Sequence, residues 1–157
     1  MLAHMFVTGF LLVWSSVSLV SNLLTRQSLS NTIAAIVQLK HLDDFPEAQA
    51  TIAGREISTY SRKRFLSYSF LAGQSLLCVV LLSSFFCQAL GMFGSVSENF
   101  DTVAIVVGYA AWSFYWLIFL LIDLWFYVWL PKPTLQNSHL ILFGIGICLL
   151  SVATISV

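Results

Sequence analysis

The sequence predicts an all-α integral membrane protein: a four-transmembrane-helix bundle, residues 1–157 forming a single membrane domain, with a helical cytoplasmic segment between helices 1 and 2. Three observations lead there. Hydrophobic residues make up 59% of the 157 and charged residues only 9%, with a mean hydropathy of +0.89, whereas a soluble domain carries about 25% charged residues. Seven Lys and Arg balance seven Asp and Glu. These are too few to clothe a water-facing surface or to neutralise a nucleic-acid backbone, so disordered and nucleic-acid-binding readings are excluded. Finally, four continuous apolar runs are each long enough to cross a hydrocarbon core about 30 Å thick, and none alternates as barrel strands do.

The first span covers residues 5–24. Its flank Met1–His4 has no Lys or Arg and its apolar run exceeds a signal-peptide core, so it is expected to be a retained helix. A connecting segment, residues 25–64, follows. It is poor in Gly and Pro, with Ser30 expected to cap a helix over Asn31–Leu42. Asp44, Pro46 and Glu47 then have the spacing of a capping box opening a second helix toward Arg62-Lys63-Arg64. The remaining spans are expected at 65–94, 102–130 and 140–157, joined by the short connections Ser95–Asp101 and Pro131–His139.

Charge orients the chain. Arg26, Lys40, Arg55, Arg62, Lys63 and Arg64 lie in the connecting segment and Lys132 lies in the third connection, while the second connection carries Glu98 and Asp101 and no cation. The positive-inside rule places residues 25–64 in the cytoplasm and both termini on the opposite side.

Polar residues within the spans form narrow stripes. Thr8, Ser15, Ser18 and Asn22 in the first span fall within about 80° at 100° per residue. Gln74 and Gln88 mark a similar face on the second span, which predicts left-handed packing of the two helices on one another, or of each on a partner, through side-chain hydrogen bonds. The third span holds nine aromatic residues between Trp112 and Trp129, and one face carries Trp112, Trp116, Phe119, Asp123 and Tyr127 as a candidate aromatic slot. Asp123 is the one charged residue within a predicted span, which makes it a functional candidate by default. Thr102–Ile122 already supplies 21 uncharged residues. Asp123 is therefore expected at the cytoplasmic border, ion-paired with Arg64 or Lys63, in preference to a proton- or cation-coupling role.

Other chemistry is sparse. Cys78, Cys87 and Cys148 make no CxxC pair, and His4, His41 and His139 offer no two ligands at one depth within the spans for a haem. His41, Asp43, Asp44 and Glu47 cluster without the spacing of a metal loop, so no metal site and no catalytic residue is assigned. No cofactor is expected within the chain, with a lipid, quinone or pigment at a subunit interface left open. The expected function is a non-catalytic accessory or scaffold subunit of a larger membrane complex (respiratory, photosynthetic or transport), with membrane lipids and other membrane subunits as partners. The alternative is a small homo-oligomeric transporter or channel that uses Asp123 as its coupling carboxylate. A cytoplasmic-face enzyme built on His41, Asp43, Asp44 and Glu47 is the weakest reading.

Overall fold

A computed structural model describes residues 2–94 and 97–155, with the Glu98 side chain left out. The expectations for Met1, for Ser95 and Val96 in the second connection, and for the last two residues of the fourth span lie outside the described residues. The chain is all-helical: α1 (Leu2–Leu24), α2 (Arg26–Val37), α3 (Pro46–Thr51), α4 (Tyr60–Met92), α5 (Glu98–Trp125) and α6 (Pro133–Ile155). Single 3-10 turns lie at Lys40–Leu42 and Ala53–Arg55. Helices α1, α4, α5 and α6 are long and apolar enough to cross a membrane. Large side chains such as Phe6, Phe65, Phe114 and Ile141 point outward from them at 62–70% exposure. A water-soluble monomer rarely exposes so much contiguous apolar surface, whereas acyl chains cover it at no cost. Fold and composition together are those of a multi-pass membrane protein.

The four long helices neighbour one another in the order α1, α4, α5, α6. The buried residues of α4 are Ser67, Leu71, Gln74, Leu77, Leu81, Ser84 and Gln88, at steps of three and four, and those of α1 are Thr8, Leu11 and Ser15. Leucines and small or amide residues thus share one seam, with Ser67, Gln74, Leu81 and Gln88 at steps of seven. Leu11, Leu77, Leu81, Ile105, Tyr109, Trp112 and Ala153 form the core between the long helices.

Several boundaries differ from the sequence expectation. The fourth long helix begins at Pro133, not residue 140, because proline fits the first helical position, where its missing N–H costs nothing. The third ends at Trp125, not residue 130. Beyond it Tyr127 adopts the left-handed conformation (φ 54°) and the Val128 N–H returns to the Asp123 carbonyl (2.9 Å), closing a Schellman-type end with Tyr where Gly is usual. Pro131 could not have donated to the Tyr127 carbonyl had the helix continued.

In the connecting segment, α2 begins at Arg26 with no side-chain cap, and Ser30 lies inside it. The residue capping α3 is Phe45, not Asp44, and its side chain makes no cap. Asp43 instead accepts a hydrogen bond from Gln49 Nε2 (3.2 Å). Helix α3 stops at Thr51, so the Arg62-Lys63-Arg64 cluster sits on the first turns of α4, not at the end of a second segment helix. A second core of Val37, Leu39, Leu42 and Ile52 closes on Phe126 and Val128, so the segment folds over one end of the long helices.

Candidate functional site at the α5–α6 end

Asp123 lies on the last turn of α5 and is 3% exposed. Its partner is neither Arg64 nor Lys63 but His139, whose Nδ1 is 2.6 Å from Asp123 Oδ2 with the N–H donating. The expected pairing fails because helix α6 starts early. His139, read as a loop residue, becomes part of its second turn and shares a face with Leu142 and Gly146 at steps of three and four. Arg64 instead donates to the Tyr68 hydroxyl one turn along α4 (3.4 Å). Reading Pro133 as a first helical residue is the signal that would have found His139.

Three of the four predicted slot residues come together here. Trp112, Trp116 and Phe119 form a continuous ladder, with ring centroids 5.8 Å and 5.6 Å apart at successive steps. The His139 imidazole stands 5.5 Å from Trp116 and 5.3 Å from Phe119, so the rings fill the slot themselves. The fourth, Tyr127, is absent from this face: the left-handed turn carries it to Arg55, whose guanidinium lies 5.7 Å from its ring.

Close approach of α6 makes the ladder. Trp112 Nε1 donates to the Leu142 carbonyl (3.0 Å), an oxygen that is one helical turn from Gly146. A Cβ at Gly146 would lie 2.8 Å from Trp112 Cδ1 and 3.1 Å from Ser113 Cα, so only glycine lets the indole reach that oxygen. Gly144 faces open space.

The C-terminal end of α5 is also tied to the connecting segment. Arg55 Nη1 donates to the Trp125 carbonyl (2.6 Å) and lies 4.5 Å over the Trp125 ring, while His41 Nε2 donates to the Phe126 carbonyl (2.8 Å). A cation there suits the negative end of the helix dipole. Sequence reasoning missed both roles, since they depend on a long-range fold of the segment.

The polar stripes meet along the α1–α4 seam. Asn22 Nδ2 donates to Gln74 Oε1 (2.9 Å), and Gln74 Nε2 donates to Ser18 Oγ (2.8 Å). Gln88 Nε2 donates to Thr8 Oγ1 (2.9 Å) and Ser84 Oγ (3.1 Å), and Ser84 Oγ donates to the Ala104 carbonyl of α5 (2.7 Å). Ser15 is buried in the same seam. Gly108 admits Ser84, whose Oγ would sit 2.7 Å from an added Cβ. At the opposite end Asp101, expected in a loop, is buried in the first turn of α5 against Gly91.

Chemically, the site is a carboxylate–imidazole pair walled by aromatic rings, with no hydroxyl or thiol bonded to the imidazole among the described residues. His41, Asp43, Asp44 and Glu47 do not converge, and no three His, Cys, Asp or Glu are grouped to hold a metal among the described residues. Comparison with known proteins finds no matching family model, no similar curated protein and no similar solved structure.

Proposed function

We propose that this chain is a non-catalytic accessory or scaffold subunit of a larger membrane complex. One observation carries the reading: at mid-bundle and at the α5–α6 end the amides and the carboxylate of the long helices bond within the chain, and the aromatic ladder packs against its own histidine. Gln74, Gln88 and Asp123 are each hydrogen-bonded to a neighbouring long helix of the same chain. Polar groups consumed in this way make a rigid bundle and leave little for a substrate path. Phe126 and Val128 of the same chain pack on Val37, Leu39, Leu42 and Ile52 of the connecting segment. The basic residues beside this end favour its placement in the cytoplasm, with both termini outside.

Purification in mild detergent with mass spectrometry of co-eluting proteins tests the proposal. Stoichiometric larger subunits are expected, and a homogeneous preparation of this chain alone would refute it. A membrane-impermeant thiol reagent applied to a Gln27→Cys variant of a chain freed of its own cysteines tests the orientation, with labelling expected only after the cytoplasmic face is opened. The alternative, a homo-oligomeric transporter, draws on the 2.6 Å Asp123–His139 contact, across which a proton can be shared. Replacing Asp123 by Asn would abolish transport under that reading and leave any flux unchanged under ours.

A further inference from the structure

Where α1 passes into α2, a cleft of about 460 Å³ opens between α2 and the start of α4. Its volume is that of a small-ligand site. Its cationic lining is Arg26, Lys63 and Arg64, joined by the hydroxyls of Ser30, Ser67, Tyr60 and Tyr68, the last accepting from Arg64. The two serine oxygens, 3.4 Å apart, mark where the helices meet. No carboxylate lies within ion-pair distance of any of the three cations among the described residues, and neither Arg26–Val37 nor Tyr60–Leu71 contains an Asp or Glu. Three cations lining one cleft without a compensating carboxylate give it a positive potential that favours an anion. Depth narrows the choice of anion. Directly after Arg64 the helix turns apolar with Phe65, so the cations stand at the edge of the hydrocarbon, where phosphate headgroups lie.

We propose that this cleft binds a phosphate-bearing anion, with the headgroup of an anionic phospholipid as the form its depth favours. The inference rests on the four long helices crossing a bilayer and not on the accessory-subunit reading. Arg62 supplies the internal control: it belongs to the same basic triplet but does not line the cleft.

The test is titration of the delipidated full chain in mild detergent, followed by native mass spectrometry. The probes are short-chain phosphatidylglycerol, short-chain phosphatidylcholine and inorganic phosphate. One saturable phosphatidylglycerol site is expected, at least tenfold tighter than for phosphatidylcholine. The Arg26→Gln, Lys63→Gln double variant should weaken it about 30-fold, the factor that two headgroup-level cations supply. Arg62→Gln should change it less than twofold. Competition by inorganic phosphate at millimolar concentration supports the site and assigns it to a soluble phosphate ester, while its failure to compete assigns the site to lipid. Equal weakening by Arg62→Gln, or equal binding of the two lipids without phosphate binding, overturns the proposal. The wild-type comparison of probes decides even if the double variant misfolds.

Discussion

Replacing His139 by Leu strands the Asp123 carboxylate, which is 3% exposed and bonded at 2.6 Å to that histidine. A buried charge that loses its partner typically costs about 3–5 kcal/mol. Replacing Asp123 by Leu instead leaves a neutral imidazole N–H unpaired, worth about 1–3 kcal/mol. The double leucine variant removes both groups and sets apolar side chains beside Trp116 and Phe119, so its net cost should fall to about 0–2 kcal/mol. The coupling energy of the double-mutant cycle is therefore expected above about 2 kcal/mol. An ordinary interhelical hydrogen bond in a membrane averages only about 0.6 and reaches about 1.7 kcal/mol. The magnitude thus separates a hydrogen bond to a buried carboxylate from an ordinary neutral one. The assay is reversible unfolding of the four proteins in mixed detergent micelles, followed by circular dichroism and tryptophan fluorescence. A coupling below about 1 kcal/mol, or His139→Leu milder than Asp123→Leu, would refute the reasoning.

Three further outcomes are expected. Gly146→Ala should cost about 1–3 kcal/mol in the same unfolding assay, because its Cβ meets Trp112 and the Ser113 backbone. Gly144→Ala, in open space, should be neutral or slightly stabilising; equal effects of the two would contradict the α5–α6 packing. Gln88→Leu should destabilise by about 1–2 kcal/mol by unlinking Thr8 and Ser84, and an unchanged unfolding midpoint would count against the three-helix junction. Arg55→Ala should raise hydrogen–deuterium exchange and protease cutting across residues 38–59 while leaving the long helices protected, since Arg55 ties this segment to the Trp125 carbonyl. Exchange unchanged there would show that the second core holds the segment without it.

Local rules carried much of the fold. Hydropathy found the four long helices, and spacing found the stripes on α1 and α4, because both are properties of neighbouring residues along one helix. The same rules misplaced helix ends. Thr134, Gln136, Asn137 and Ser138 lower the local hydropathy although the backbone there is helical from Pro133. The strongly apolar Phe126–Leu130 reads as a continued span although its backbone turns.

Composition and hydropathy by themselves pointed to a helical membrane protein with four helices long and apolar enough to span, because the cost of unpaired backbone and exposed charge in hydrocarbon leaves few alternatives. They also singled out Asp123, since a carboxylate is conspicuous in an apolar helix. Tertiary structure alone decided what Asp123 meets. Its partner is sixteen residues away on another helix, and the choice between His139 and a distant cation turned on one proline starting α6 early. Likewise Gly144 and Gly146 are indistinguishable in composition, yet two residues on a helix face nearly opposite directions, and only packing against Trp112 gives one of them a role.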